Sequence, residues 1–493
     1  MKRNFLAVAA SMVMSVSAFA GGFVTNTNQN VAFLRQPAQN AVISVGSAYS
    51  NPAGVGFLDR KFYLSLNVQN ATQTREITGD YAPYALNIHN GGQTTKYFKG
   101  DTYVPVIPSV DAAWRFSDKF FASAHLGIVG GGGKAKFEDG LGSLESQAAI
   151  FPAMLNALAG QNVVKYDVDT HLLAKQYVIA GQLNLGYRIN DYVSVAAGLR
   201  ANYVYNNYTG HMSNIYYEGL ENVIAALPAV APLIQQASGL LNDRYLDCTQ
   251  TDIAWTPILG VDVNLGVVNF AARYEFNTKV RLTNDTEDGK DAGMPQFQDD
   301  KEGIASDIPA ILSLGAQVNL LKTLRLNLGF HNFFDKQASF YNSLTGNNDR
   351  QNSIENNSYE FLAGVEWDLS KKFTVSCGGQ LTRFGWGDSF TFISDQSFNV
   401  NSYSLGAGLR YNASDRVSID VAIFKTFYDR CDKTWADYNN AGANVFSKLV
   451  AAAGDAVSQL PFDINAIKAQ IPGGKDSFYR TNTVLGIGLN FAF

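Results

Sequence analysis

Cysteine is nearly absent from this sequence: Cys248, Cys377 and Cys431 are the only three in 493 residues. Three thiols are too few for a disulfide scaffold, and none stands in a C-x-x-C pair, so a cysteine zinc site is excluded too. Charge is also scarce. Only 16% of the residues are Asp, Glu, Lys or Arg, where a soluble globular chain carries about a quarter. A formal net charge of −5 without a strongly basic block argues against nucleic acid as a partner. Long apolar runs are missing as well, although 46% of the residues are hydrophobic. After the first twenty residues no stretch reaches the roughly 20 consecutive apolar residues that a membrane-crossing helix needs. A chain of this composition enters a bilayer with strands, and because hydrocarbon cannot satisfy backbone N–H and C=O groups, those strands must close into a barrel.

Catalytic signatures are missing too. His89, His125, His171, His211 and His331 show no metal-ligand spacing, and no G-x-S-x-G elbow occurs. Each histidine reads as a surface or lumenal group, so no catalytic residue, metal or cofactor is expected. A barrel lipase with a Ser and His pair on its outer wall is the remote enzymatic alternative.

What is present begins with a secretory leader over residues 1–20. Lys2 and Arg3 form its positive end, Phe5 to Val16 its apolar stretch, and Ala18-Phe19-Ala20 a small-x-small cleavage site. The mature chain then starts at Gly21. From residue 61 to 493 the leading signal is alternation with period two, which places successive side chains on opposite faces of a strand. In the last segment Leu485, Ile487, Leu489, Phe491 and Phe493 share one face, and Asn482, Val484, Gly486, Gly488 and Asn490 the other. Near residue 403, Tyr403, Leu405, Ala407, Leu409 and Tyr411 likewise oppose Ser404, Gly406, Gly408, Arg410 and Asn412. A soluble sandwich would turn the apolar face inward. Tyrosines at the ends of the apolar faces favour the opposite arrangement, a membrane barrel with aromatic girdles and a polar interior.

Fourteen strands are expected, near 61–75, 104–116, 119–131, 173–189, 192–208, 251–264, 267–282, 307–320, 323–335, 357–369, 372–386, 399–412, 415–430 and 478–493. The number is even, as in bacterial single-chain barrels. The connections alternate strictly between short and long: Ser117-Asp118, Asn190-Asp191, Leu265-Gly266, Leu321-Lys322, Ser370-Lys371 and Ala413-Ser414 are the short ones. Short periplasmic turns and long external loops follow the barrel convention. Three long loops, 141–160, 219–242 and 440–470, carry apolar residues near helical spacing. They read either as helices packed into a cap or as a greasy landing site at the barrel mouth.

Residues 21–60 precede the first strand, a polar and Gly-rich stretch with a turn signal in Ser47-Ala48-Tyr49-Ser50-Asn51-Pro52-Ala53-Gly54-Val55. This stretch resembles the Asn-Pro-Ala motif of the FadL family of outer-membrane transporters for long-chain fatty acids and hydrocarbons. The similarity extends over the whole chain: leader, strand count, helical external loops and a C-terminal Phe. The resemblance implies an all-β fold, a fourteen-stranded transmembrane barrel plugged by an N-terminal hatch that contains Asn51, Pro52 and Ala53. One departure is that Gly21-Gly22-Phe23-Val24 is less apolar than a ligand-contacting hatch start would be.

The resemblance also implies an inward kink of the third strand that opens the wall sideways, and Gly130, Gly131, Gly132 and Gly133 fall near that strand's end. Glycines weaken ladder pairing and permit a bend, but they equally suit a flexible exit into the loop. The function implied is passive uptake of a hydrophobic molecule, a long-chain fatty acid first among them, by loop capture, hatch movement and lateral exit into lipid. Expected partners are that ligand, outer-membrane lipid and the barrel-insertion machinery, the last reading the C-terminal strand that ends in Phe493; the chain is expected to be a monomer. Inward-facing Arg200, Arg273, Arg325 and Arg410 are candidates to meet a ligand carboxylate. They could equally pair with Asp262, Glu275, Glu366 and Asp420. A structural or adhesive barrel, or a porin for hydrophilic solutes, is the competing reading, and a plug ahead of strand one speaks against the porin. Cys248 and Cys431 both belong near the outer rim, where a disulfide could tie two loops together; Cys377 should stay free on an outward face.

Overall fold

The computed structural model describes residues 28–493 except 161–163, 227, 229–230, 240, 344, 388–391 and 454–470. The leader at 1–20, the stretch Gly21–Val24 and most of the second half of the third helical loop lie outside the described residues.

Among the described residues, fourteen antiparallel strands make one closed wall. They are β1 (Phe62–Tyr81), β2 (Thr95–Arg115), β3 (Phe120–Phe137), β4 (Lys165–Arg188), β5 (Val193–Glu218) and β6 (Arg244–Asn264). Next come β7 (Val268–Glu275, resumed at Arg281–Asp291) and β8 (Ile304–Ala305, resumed at Ile311–Leu321). β9 (Leu324–Phe333), β10 (Ser358–Asp368), β11 (Phe373–Arg383) and β12 (Ser402–Asn412) follow. The last two are β13 (Val417–Tyr428, resumed at Cys431–Trp435) and β14 (Gly474–Ala492). β14 pairs with both β13 and β1, Leu64 lying opposite Phe491 and Arg75 opposite Arg480, and this pairing closes the cylinder. Closure removes the unpaired edges that hydrocarbon would not tolerate.

The alternation has the orientation expected of a membrane barrel. Leu405 (57% exposed), Leu485 and Ile487 point outward, while Ser404 and Asn202 are buried inside. On β4 the outward row runs from Tyr177 to Tyr187 through Leu183 and Leu185. Ten residues at about 3.3 Å each, tilted by about 40°, rise roughly 25 Å, the height of a barrel's apolar band.

Several strands run well past their expected ends on the long-loop side. β1 reaches Tyr81 rather than 75, β2 starts at Thr95 rather than 104, β3 continues to Phe137, β5 to Glu218, and β6 starts at Arg244. Beyond the apolar band the outer face no longer needs hydrophobic residues, so the alternation fades while the hydrogen-bond ladder continues. All six short turns occur where expected.

The long loops gather into a packed cap. α3 (Gly142–Ala159) lies in the loop after β3, α4 (Leu220–Ala226) and α5 (Ala231–Gly239) in the loop after β5, and α6 (Ala441–Ala453) after β13. Leu144, Ala148, Phe151 and Leu155 of α3 are buried with Tyr84, Phe98 and Tyr438. Polar ties lock these loops: Lys96 Nζ lies 2.5 Å from Glu145, and the Ser143 N–H donates to Asp395 at 2.6 Å. Burial pushes the Asp395 carboxyl above its ordinary value. α4 and α5 flank an open groove of mixed lining, with Ile215, Leu220, Ile224 and Leu241 beside Glu221 and Asp243. The same loop also joins the cap, through buried Val223, Ile234 and Leu241.

The three cysteines are free. Cys248 faces inward from β6 and is buried; Cys431 stands in the second part of β13; no bond joins them, which rules out the loop-tying disulfide in this structure. Strands six and thirteen are far apart around the wall, and the loops do not bring the two thiols together. Cys377 is exposed on the outer face of β11, as expected.

Candidate functional site

The N-terminal segment from residue 28 to 61 folds inside the barrel before the chain enters β1. α1 (Val31–Arg35) begins at Asn30, whose side chain accepts the Ala32 N–H as an N-cap. α2 (Ser47–Ser50) is followed by a 3₁₀ turn over Pro52–Phe57 with Pro52 at its first position, where a missing N–H does no harm. Val31, Ala48, Asn51, Ala53 and Val55 are fully buried.

The wall is shaped to receive this segment. A Cβ on Gly406 would overlap the Leu34 carbonyl oxygen, so glycine there lets the two backbones approach. Polar side chains complete the seat. Arg35 bridges Glu366 at 2.5 Å and Asp420 at 2.8 Å, and Asn30 Nδ2 donates to Asp111 at 2.8 Å. Asn51 Nδ2 donates at 3.1 Å both to the Val261 carbonyl and to Asp262. Asn51 therefore works through its side chain as a wall contact, while Pro52 and Ala53 shape and pack the turn. The Tyr49 ring lies tilted against His125, with centroids 4.5 Å apart, and under the guanidinium groups of Arg200 and Arg273, the latter also donating to its carbonyl oxygen. Burial pushes the Tyr49 phenol up to about 12, so it stays neutral there.

The four candidate arginines all bond to barrel carboxylates. Arg200 and Arg273 share Glu275 at 2.7 and 3.0 Å, Arg325 grips Asp368 with both terminal nitrogens at 2.6 and 2.8 Å, and Arg410 pairs with Asp420 at 2.8 Å. Of the four carboxylates considered as their partners, Asp262 is held by Asn51 instead. The sequence carried no sign of Arg35 as the central cation of the seat, because a single Arg in a polar stretch has no periodic pattern that would betray its burial.

The glycine run does not lead out of the wall; it lies within β3, with three residues of strand still to come before Phe137 and its register to β4 shifted around Gly130 and Gly133. Gly131 has φ +103° and Gly133 φ +64°, conformations other residues rarely adopt. The consequence is visible on the other side of β3. Its pairing with β2 runs from Arg115–Phe121 to Ser109–Gly127, stops, and resumes only at Asp101–Lys136. Between these rungs, 102–108 and 128–135 face each other without ladder pairing, and Pro105 and Pro108 on the β2 side lack the N–H to form it. The hydrogen-bond ladder of the wall has a gap here.

A partly open cavity of about 160 Å³ lies against this gap. One side is the gap itself, with Thr102, Val104, Ile128, Gly131 and Gly133; the other is the N-terminal segment, with Phe33 and Leu34, and the nearby strands β13 and β14, with Phe424 and Val484. The polar groups on its surface are neutral, among them Gln69, Gln73, Gln380, Thr426 and Asn482. Such a surface suits an apolar ligand with few polar anchor points. Arg200, Arg273, Arg325 and Arg410 do not line it.

Taken together, a closed fourteen-stranded wall, a filled lumen and a cavity beside an interrupted ladder define a membrane β-barrel fold. No protein-family model matches the sequence, and neither does any curated protein sequence. Solved structures do match. A Pseudomonas aeruginosa FadL homologue superposes with a TM-score of 0.60 at 12% identity, covering 96% of this chain and 100% of that one. The P. putida toluene transporter TodX gives 0.53 at 12%, with 91% and 94% covered, and the Ralstonia pickettii toluene transporter TbuX 0.51 at 13%, with 98% and 100% covered. The chain has the FadL-type barrel fold.

Proposed function

We propose that this protein is an outer-membrane channel through which hydrophobic molecules enter passively, leaving sideways through the gap between β2 and β3. The reading is carried by one observation, the apolar cavity that ends on the unpaired stretch of the wall. A hydrophobic ligand in a water-filled pore would keep its tail wet at roughly 0.8 kcal/mol per CH₂. A greasy pocket with a side exit avoids that cost at every stage. The groove beside α4 and α5 is the capture point, residues 21–60 act as the hatch, and residues 1–20 direct export. The similar structures described as toluene transporters and as a FadL homologue support a hydrophobic cargo.

Long-chain fatty acids remain the foremost ligand in this reading, with aromatic hydrocarbons second. The neutral polar lining means that a fatty acid's tail, rather than its carboxylate, provides the binding in the cavity. The test is uptake of labelled oleate and labelled toluene by cells that rely on this protein, against a hydrophilic sugar. Hydrophobic uptake with no sugar flux is expected. Sugar flux without hydrophobic uptake would refute the proposal and favour the porin reading. Deleting 21–58 should raise ion conductance sharply, since residues 28–58 occupy the lumen; unchanged conductance would refute the segment's role as a hatch.

A further inference from the structure

On the outer wall, toward the cap from the gap, Lys134 of β3 stands directly opposite Lys175 of β4. Both point outward, because the adjacent opposed pair Ala135 and Ala174 is buried in the inner cluster. Like charges directly opposite each other destabilise an antiparallel pair. Their neighbours do not offset them. Lys136 is bonded to Glu138 and faces Asp101 of β2, and His171 and His211 take up Glu138 and Asp169. Lys175 donates only to the neutral Asn207 amide at 3.3 Å. Among the described residues, no carboxylate pairs with either lysine. Two positive charges are left side by side on the wall.

Their height identifies what neutralises them. Two residues further down the same outer face, Tyr177 lies opposite Tyr205, and below these Ile179 and Tyr203 are exposed to the bilayer. Tyrosines in such a row mark the headgroup boundary of a barrel. Two residues along a strand are about 6.6 Å, or about 5 Å of height at a tilt of about 40°, which raises the lysines from the tyrosine row into the layer of lipid phosphates. Gly133, next to Lys134, borders the cavity at the gap.

We propose that Lys134 and Lys175 together bind the phosphate of an anionic lipid in the outer leaflet, at the extracellular edge of the lateral gap. The bound lipid relieves the lysine–lysine repulsion and lays its acyl chains along the wall where cargo would enter the membrane. The proposal rests on the reading of the barrel as membrane-embedded but not on what it transports.

The test uses the full chain, folded in detergent, with diphosphoryl lipid A as probe, and reads retained lipid by native mass spectrometry. Each lysine near such a headgroup contributes a factor of about five, so K134Q/K175Q should bind roughly thirtyfold more weakly. K134R/K175R should bind like the wild type, and dephosphorylated lipid A should bind the wild type as weakly as diphosphoryl lipid A binds K134Q/K175Q. Heat-modifiable migration checks folding; if the double variant does not fold, K134Q alone should lose about fivefold. Equal retention by folded wild type and folded Gln variant overturns the proposal. So does displacement of the lipid by an equal concentration of inorganic phosphate, which would make the site one for a free anion. Uptake is not read in this experiment, so a failure here and a failure of the transport reading are distinct results.

Discussion

Replacing Gly131 with alanine tests the link between the bent strand and transport. A Cβ at this position would press on the Gln176 carbonyl oxygen and come within 2.7 Å of Tyr177 Cα, both backbone atoms that cannot swing aside. The backbone φ of +103° adds a second conflict. Left-handed strain costs a non-glycine residue roughly 1–3 kcal/mol, and forced overpacking adds about 1–3 kcal/mol. The bent form should therefore lose about 2–6 kcal/mol relative to a straightened β3. Even the lower figure is roughly a thirtyfold shift in population. A straighter strand would bring 128–135 back toward 102–108 and narrow the gap. We expect G131A to insert and migrate as a folded, heat-modifiable barrel while uptake of hydrophobic cargo falls more than tenfold. Gly181→Ala on β4 is the control: its added Cβ would meet only Leu126 Cδ1 at 4.0 Å, and uptake should be unchanged. Wild-type uptake by G131A at equal surface level would refute the connection between the bend and the exit.

The remaining predictions concern the N-terminal segment, the closing strand and the thiols. Arg35→Met strips Glu366 and Asp420 of a buried cation, a loss that typically costs about 3–5 kcal/mol, so single-channel recordings should show raised, fluctuating conductance from an unseated segment; a quiet wild-type trace would contradict this. Asn51→Ala with Pro52→Ala removes one donor each from Asp262 and the Val261 carbonyl, at about 1–3 kcal/mol, and should depress cargo uptake while the amount of folded barrel stays the same. Deleting Phe493, whose N–H donates to the Phe62 carbonyl at the barrel seam, should lower the yield of heat-modifiable protein in outer membranes. A non-reducing peptide map should find Cys248, Cys377 and Cys431 unbonded, and the exposed Cys377 should react with a lipid-soluble maleimide well before buried Cys248.

The sequence by itself determined the wall. Period-two alternation, the tyrosine ends and the strict short-long rhythm of connections led to fourteen strands and to the correct inside and outside, because a bilayer imposes those patterns on every residue it touches. The pattern failed where the bilayer stops. Strand extensions such as Thr95–Tyr103 and Thr209–Glu218 are held by ladder pairing and by scattered inward contacts with the cap, such as those of Phe98 and Tyr217, and neither leaves a periodic pattern in side-chain polarity. Only the tertiary structure decided which cations hold the N-terminal segment, since Arg35 and its two carboxylates lie 331 and 385 residues apart in the chain. It also decided the meaning of Gly130–Gly133. A glycine run permits a bend or a flexible exit equally well, and what distinguishes them is the partner strand: whether β2 resumes pairing beyond the run, as it does at Asp101 and Lys136, is a fact about two segments in space rather than about either sequence.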